Sequence, residues 1–491
     1  MRVCLWLLLL SPLCVFADDF AVRRVFDTTG TTRRLGEQPD SKGVVLVFLG
    51  PECPICQRYA PELKRLAVDL VGKGFEFYGV VAGESNLLTD AATYAKDYQL
   101  KFPVLFDAAD DLALWLRPTH VPEAFVLTPN GKIVYRGRID DWYLAPGKPR
   151  ARVEQHDLAE ACAALLAGKA PKVARTQPVG CLFEELPKDA KIAPTKVTYT
   201  RHIAPLIFAN CLTCHRTGEV APFALSTFQE TAKRAKQLAS LVSDRTMPPW
   251  KAEPNYGHFM DERRLTDREI ALFVAWAKQG APEGNKNDLP PTPTFTEGWQ
   301  LGKPDLILRM PEAFSIPAEG HDLLQNFVLP IEINEDKMVG AIEFRPGNKR
   351  VVHHALCYLD ANGVAKKLDE ATPEPGYSAQ KGLGFFPTGS LSGWAPGMTP
   401  RFLPVGMGRH LKKGSDAVLQ IHYHPSGKPE KDQSEIGVYF VRKPATKYIG
   451  GIALENWDID IPAGEKNYRR SASYTLPTET IFVGVAPHMH Q

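Results

Sequence analysis

After its first seventeen residues the chain has no apolar run of the ~18 residues a membrane-spanning helix needs, so no stable membrane anchor is expected. It also lacks charge of one sign: 58 Lys and Arg stand against 56 Asp and Glu, a net charge of +2. With no Lys/Arg-rich run either, nothing suggests a nucleic-acid surface, and no nucleic-acid partner is expected. Cysteine is sparse, with 9 in 491 residues. Pro (41) and Gly (38) are spread along the chain, as loops and linkers require, rather than gathered into a disordered tract. The length suits about three domains.

The N-terminus has the pattern of an export signal (residues 1–17). Arg2 carries the charge, Val3 to Val15 is apolar apart from Ser11 and Pro12, and Val15-Phe16-Ala17 offers small residues for cleavage ahead of Asp18-Asp19. Ser11-Pro12-Leu13 before Cys14 fits a lipoprotein site poorly. A soluble, periplasmic or secreted protein is expected. Loss of Cys4 and Cys14 leaves Cys53/Cys56, Cys211/Cys214, Cys162, Cys181 and Cys357. A Cys162–Cys181 disulfide is open in an oxidising compartment, and Cys357 reads as a buried hydrophobe.

Gly43 to Leu49 reads as a buried central strand. Pro51-Glu52-Cys53-Pro54-Ile55-Cys56 follows, and then Tyr59, Leu63, Leu66, Leu70 and Val71 recur at helical spacing. Cys53 therefore falls at a helix N-terminus, where the dipole favours a thiolate. Phe75 to Val81 is a second strand, and Phe102 to Phe106 opens a third. Ala124 to Thr128 and Lys132 to Arg138 flank the hairpin signal Pro129-Asn130-Gly131. With Ala60-Pro61 and Val121-Pro122, this stretch (residues 18–170) resembles the thioredoxin-like redoxins. The resemblance implies a cis Pro122 beside the dithiol, Cys53 as nucleophile and Cys56 as resolving thiol. No Trp precedes Cys53, and the peroxiredoxin string Pro-x-x-x-Thr-x-x-Cys is absent. Thiol–disulfide exchange is one reading; a stable disulfide in a docking domain, or half a metal site, are the others. Residues 157 to 167 read as a closing helix and 171–197 as a linker.

Asn210-Cys211-Leu212-Thr213-Cys214-His215 spells Cys-x-x-Cys-His, the attachment sequence of a c-type haem (heme c). Two thiols one turn apart suit thioethers to one haem, and the adjacent histidine suits the iron. The alternatives are a thioredoxin-like pair with a chance histidine, or half a zinc site. Tyr199 to Asn210 and Phe228 to Val242 read as helices. Thr266 and Glu269 form a capping box for another helix ending near Gly280. Met247 stands in a Pro-fixed loop, Met247-Pro248-Pro249. Residues 198–284 together resemble a small class I cytochrome c. The resemblance implies attachment at Cys211 and Cys214, His215 as proximal ligand and Met247 as distal ligand, with Met260 and His258 as rivals.

A Pro-rich linker (285–301) precedes runs that alternate with turns: Asp305 to Arg309, Gln325 to Leu329, Met338 to Phe344, Ala417 to Tyr423, Ile436 to Val441 and Thr480 to Ala486. This is the pattern of an all-β sandwich. Histidines cluster at His353-His354, His422-Tyr423-His424 and His488-Met489-His490. Imidazole-rich ligation without cysteine suits copper or zinc. An i, i+2 pair shares a face, whereas adjacent His353 and His354 need a bulge to share an ion. From about Gly302 these residues resemble the type II copper, ascorbate-dependent monooxygenases (the peptidylglycine and dopamine hydroxylase family), with one sandwich over 302–447 and an incomplete second over 448–491. The resemblance implies an electron-transfer copper on His353, His354 and His422, and an oxygen-activating copper on His488 and His490. The family's methionine ligand has no counterpart, because the chain stops one residue after His490, and His424 falls outside the pattern.

The fold expected is multidomain: an α/β thioredoxin-like domain, a small all-α cytochrome c domain and an all-β sandwich copper domain. The function expected is an exported oxidoreductase, a copper monooxygenase-like enzyme. It would pass electrons through haem to one or two coppers and use O2 on a small-molecule or peptide substrate, with a redox partner protein for the dithiol. The rivals are a non-enzymatic electron-transfer and metal-binding scaffold, and a thiol–disulfide oxidoreductase of the periplasm.

Overall fold

The computed structural model describes residues 23–485 apart from 39, 84, 185, 187–195, 251, 254–258, 260, 261, 381, 453, 455 and 457. The export signal, His258, Met260, His488 and His490 lie outside the described residues. The chain divides into a unit ending at Phe295 and a unit beginning at Thr296. Among the described residues no helix is long and apolar enough to cross a membrane.

The first unit begins with β1 (Arg24–Asp27) and β2 (Thr32–Arg34), then β3 (Gly43–Phe48), α1 (Pro54–Gly72), β4 (Phe75–Ala82), α2 (Leu88–Asp97) and β5 (Val104–Asp107). α3 (Asp111–Leu116), β6 (His120–Val121), β7 (Glu123–Leu127) and β8 (Ile133–Gly137) follow. Seven strands form one sheet in the order β2-β1-β5-β4-β3-β7-β8. β3, β4 and β5 run parallel, each joined to the next by a helical crossover, as parallel pairing demands. β3 and β4 are buried at every position; β3 accordingly reads as an unbroken apolar run, whereas β4 buries one charged residue, Glu76, whose carboxylate accepts from Gly36 N–H and the Tyr78 hydroxyl. β7 and β8 pair as a hairpin whose turn places Gly131 at φ +82°, a left-handed conformation that favours glycine. α1 turns Tyr59, Leu63, Leu66 and Leu70 onto the sheet, whereas Val71 faces outward.

A short hairpin, β9 (Tyr143–Ala145) and β10 (Lys148–Pro149), leads to α4 (Asp157–Leu166), which buries Cys162 completely. Residues 174–183, read from sequence as part of a linker, are instead built into this unit. Thr176 N–H donates to Arg136 O and Arg136 N–H to Ala174 O. β11 (Cys181–Leu182) pairs antiparallel with β6. The Pro and Lys content that suggested a linker says nothing about edge pairing, which uses only backbone groups.

A π-turn (Tyr199–Ile203), α5 (Ala204–Asn210), α6 (Phe228–Ala232), α7 (Ala235–Ser243) and α8 (Asp267–Lys278) complete this unit. The single helix expected over 228–242 is two, separated by Lys233 and Arg234. Ile207, Phe208, Leu272, Phe273 and Trp276 are buried together, and Phe26 of β1 joins them, edge-on to Phe208 at 6.5 Å. The helical region therefore shares a core with the sheet domain. Arginines tie the two further: Arg24 donates to Ala209 O, Arg201 to Gly83 O and Asn86 O, and Arg268 to Ala109 O. Asp288, in the stretch expected to be a linker, is buried and paired with Arg201.

The second unit is β-rich. It holds β12 (Leu306–Arg309), β13 (Phe314–Ile316), β14 (Leu323–Pro330), β15 (Lys337–Arg345), β16 (Val352–Asp360), α9 (Val364–Glu370), β17 (Tyr377–Ser378) and β18 (Gly389–Trp394). β19 (Met407–Leu411), β20 (Asp416–Tyr423), β21 (Glu430–Asp432), β22 (Glu435–Phe440) and β23 (Lys447–Tyr448) complete it. Two five-stranded sheets, β12-β22-β15-β19-β23 and β17-β14-β20-β16-β18, contribute to one core: Leu308, Val339, Ile436 and Val438 from the first, Phe327, Cys357, Leu419 and Ile421 from the second. α9 covers Val328 and Val418 on the opposite face of the second sheet, so β20 is buried on both sides.

Thr480 to Ala486 was expected to be a strand. Its described part, 480–485, is not one, and Ile481, Phe482, Val483 and Val485 are exposed. An apolar run becomes a strand only where a neighbour takes its backbone hydrogen bonds, and no such pairing is present here among the described residues.

Candidate functional site

Three groups of chemistry-bearing side chains are positioned by these elements. The first is the dithiol. Cys53 is the N-cap of α1, with extended backbone and Pro54 in the first turn. That turn buries Cys53 and Cys56 in the core of the sheet domain. Gly50 N–H points at the Cys56 sulfur, 3.4 Å away. The Val121–Pro122 peptide bond is cis, and Val121 O lies 3.3 Å from the Cys53 sulfur. Pro122 thus follows directly on the residue that touches the dithiol.

A third sulfur, which the sequence reading did not place here, completes this group. Cys181 of β11 donates its thiol to Cys53 Sγ across 2.6 Å. The Cys162–Cys181 pairing held open from sequence is not formed: both thiols are free, with Cys162 buried under α4 and Cys181 against Cys53. Sequence spacing carries no signal for this meeting, because Cys181 stands 128 positions from Cys53 and is brought to it by a two-residue edge pairing with β6.

The thiols differ sharply in acidity. Cys53 is pushed down to about 5, first by its hydrogen bond with Cys56 and, among the other lowering contacts, next by Cys181, against the opposing effect of burial. The helix N-terminus adds to the same direction. Cys56 goes well above the usual thiol range, because it is buried and because it sits beside Cys53. Cys181 rises to about 11, from burial and from its hydrogen bond to Cys53. A protonated Cys53 can donate to Val121 O; an ionised one accepts from Cys181.

The second group is Cys211, Cys214 and His215. Cys211 follows the C-terminal end of α5, and Cys214 N–H and His215 N–H both donate to Cys211 O. His215 Nδ1 lies 3.0 Å from Phe223 O. A carbonyl only accepts, so Nδ1 carries the proton and a neutral ring keeps its lone pair on Nε2. Burial lowers the His215 pKa and holds the ring neutral. Burial also raises both thiols, Cys211 to about 12. Met247 precedes a cis bond to Pro248 in the loop after α7, with its side chain 37% exposed.

The third group is His353, His354 and His422. β16 and β20 pair so that His354 stands opposite His422, and the register shifts between Val352 and His354. That irregularity turns adjacent histidines toward one space. His353 Nδ1 is 3.2 Å from His422 Nδ1 and 3.3 Å from His354 Nδ1. Each of the three rings offers a nitrogen within 4.8 Å of the others, a spacing able to hold one metal ion. Asp322 lies behind them, with Oδ2 2.7 Å from His422 Nε2 and Oδ1 2.7 Å from His424 Nδ1. Burial pushes the Asp322 carboxyl up, but the hydrogen bonds from His424 and His422 outweigh it and leave it below the ordinary range. An ionised carboxylate fixes the His422 proton on Nε2 and frees Nδ1 for a metal. The sequence reading missed Asp322, which stands 100 positions from His422 and carries no motif.

Residues 16–136 match the model of the AhpC/TSA family, less than half of the chain. The chain is 29% identical over 93 residues to the thiol-disulfide oxidoreductase ResA of Bacillus thuringiensis, covering 19% of this chain and 53% of that protein. It is 31% identical over 121 residues to ResA of Halalkalibacterium halodurans, covering 24% and 66%. The chain thus spans about half to two thirds of the length of these curated relatives. A hypothetical protein from Sinorhizobium meliloti 1021 of known crystal structure is 26% identical with a TM-score of 0.31, over 33% of this chain and 90% of that one. The N-terminal region carries a thioredoxin-like redoxin domain similar to the thiol-disulfide oxidoreductases.

Proposed function

We propose that this chain is a thiol–disulfide oxidoreductase acting outside the cytoplasm, with Cys53 as nucleophile and Cys56 as resolving thiol. One observation carries the reading: Cys53 caps a helix N-terminus, depressed to about 5, beside a thiol held protonated. At neutral pH the Cys53 thiolate attacks a partner disulfide, and a mixed disulfide forms as the partner's other sulfur leaves. Cys56 gives up its proton and attacks Cys53, releasing the partner reduced and leaving the Cys53–Cys56 disulfide. Reduction of a test protein disulfide by the reduced chain checks this. It is expected to vanish in Cys53→Ser, and undiminished turnover in that variant would refute it.

A second reading rests on the other two groups. His215, with Nε2 free, and the thiols of Cys211 and Cys214 suit a c-type haem, with Met247 as the proposed distal ligand. His353, His354 and His422 suit copper, with Asp322 orienting His422. A bound haem supplies one-electron transfer, and copper supplies either transfer or oxygen chemistry. These residues would hold and orient the two groups; we propose that the haem would supply one-electron transfer to the copper, and that the copper, with O2, would supply chemistry suited to hydroxylating a small-molecule or peptide substrate. Iron and copper per chain by elemental analysis, on protein matured in a host that attaches c-type haem, checks the first half of this reading. About one of each is expected from these residues, with copper lost in His353→Ala. An oxidation rate of pre-reduced haem unchanged by His353→Ala would sink the transfer step.

A further inference from the structure

Residues 174–183 cross the face of the dithiol as a fixed arm. At one end Thr176 N–H donates to Arg136 O, and Thr176 Oγ1 lies 2.7 Å from the Tyr135 hydroxyl. Past Cys181, Phe183 N–H donates to Thr119 O and the Phe183 ring meets Phe48 edge-on at 5.9 Å. Between these anchors the strand alternates. Val179, Cys181 and Phe183 pack inward, while Leu182 is 81% exposed. Gly180 lets the arm approach this closely, because a Cβ there would lie 2.1 Å from Val121 O. The β6–β11 pairing sets Cys181 opposite Val121, the residue whose carbonyl faces Cys53. Three sulfurs are thus gathered at one point: Cys56 behind Cys53 in α1, and Cys181 in front.

We propose that Cys181 is a third redox cysteine, exchanging into the Cys53–Cys56 disulfide so that the arm becomes stapled across the β6 edge. The inference rests on the thiol–disulfide reading above and deepens it. The starting disulfide comes from exchange with a disulfide-bearing partner protein. Cys181 loses its proton and attacks Cys53 Sγ. The Cys53–Cys181 bond forms as the Cys53–Cys56 bond breaks, and the proton passes to Cys56. One disulfide is exchanged for another with no net oxidation. Cys56 accepts the proton readily, because its buried site disfavours a thiolate. In the stapled form Cys53 is shielded. An incoming thiol attacks the partly exposed Cys181 and expels Cys53, the better leaving group of the two. Cys181 is thereby a tethered competitor for any outside polypeptide.

The test is disulfide mapping on the full-length chain after titration with oxidised glutathione, alkylation of free thiols and tryptic digestion without reductant. Cys53 and Cys56 share the peptide 43–58, and Cys181 lies in 176–188, so the exchanged bond appears as a crosslink between two peptides. The wild-type chain is expected to give both the closed loop in 43–58 and the crosslink. Cys56→Ser is expected to give the Cys53–Cys181 crosslink nearly quantitatively. Gly180→Val, which lifts the arm, is expected to lose the crosslink while keeping the loop. A wild-type chain that forms the loop with no crosslink, and a Cys56→Ser variant that ends with glutathione on Cys53 and Cys181 free, would overturn the inference and leave the thiol–disulfide reading standing. A Cys53 that enters no disulfide at all would overturn both.

Discussion

Two Cys-x-x-Cys segments of identical spacing lie in the first unit, and their chemistry is opposite. Cys53-Pro54-Ile55-Cys56 opens a helix of 19 residues, and its leading thiol is pushed down to about 5. Cys211-Leu212-Thr213-Cys214 follows the end of a seven-residue helix, and its leading thiol is pushed up to about 12, first by burial and then by Cys214. The spacing puts two sulfurs one turn apart in both. What separates them is that hydrogen bonds with Cys56 and Cys181 outweigh burial at Cys53, whereas burial prevails at Cys211; the helix N-terminus adds to the first effect. A thiolate serves exchange. A thiol that stays neutral is shielded from exchange and remains available for a thioether.

Competitive alkylation of reduced, haem-free protein at pH 7 is expected to separate the two pairs. Cys53 is almost wholly ionised there, and Cys211 only about one part in 10⁵; the greater intrinsic nucleophilicity of the more basic sulfur recovers about three orders of magnitude. Cys53 is therefore expected to label about a hundredfold faster than Cys211, read as peptide label by mass spectrometry. Equal rates would mean that the two leading thiols do not differ in acidity as their surroundings require.

The histidine group extends the lesson to ligands set by a neighbour. Asp322→Asn removes the carboxylate that holds the His422 proton on Nε2, and a loss of about 10- to 100-fold in copper affinity is expected by competition with a chelator. His424→Ala leaves that carboxylate on His422 and is expected to cost much less. Equal weakening by the two variants would refute an orienting role for Asp322 on His422.

Local pattern made part of this legible. β3, α1 and the β7–β8 hairpin follow from an apolar run, a helical period and a Pro-Asn-Gly turn, all carried by adjacent residues. So do the Cys53/Cys56 and Cys211/Cys214/His215 strings, whose members are neighbours. What could not be read depends on distant pairing. β11 meets β6 through backbone groups that every residue has, Asp322 reaches His422 across a sheet, and Phe26 leaves the sheet domain's core for the helical one. The described part of the strand expected at 480–486 is absent for the same reason in reverse: the apolar run is present, and among the described residues no strand pairs with it.

A smaller effect follows from pH. Because the Cys53 pKa is lowered, its thiolate persists from neutral pH down to about 5 and is lost as pH falls through that value. Iodoacetamide labelling of Cys53 is expected to be flat from pH 8 to 6 and to fall about tenfold by pH 4, one unit below the midpoint. A midpoint near the ordinary thiol value would remove the basis for Cys53 as nucleophile.

The smallest effect tests whether a reactive cysteine at a helix start is a structural compromise. α8 opens with a full capping box: Thr266 Oγ1 accepts from Glu269 N–H at 3.2 Å, and Thr266 N–H donates to Glu269 Oε2 at 2.6 Å. α1 opens on Cys53 in equally extended backbone with no side-chain cap. Serine is a strong N-cap and thiols are not among the preferred ones, so Cys53→Ser supplies a hydroxyl to the first turn of α1, whereas Thr266→Ala removes one from α8. At pH 4, where Cys53 is mostly protonated and contributes little charge to the helix end, amide exchange in the first turn of α1 is expected to slow about fivefold in Cys53→Ser, and that of α8 to quicken about as much in Thr266→Ala, each near 1 kcal/mol. Local exchange is the right observable, because a chain of two units need not unfold in one step. If Cys53→Ser leaves exchange in α1 unchanged, the first turn is already held by Pro54 and the packing of Ile55 and Cys56, and the sulfur occupies its place at no structural cost.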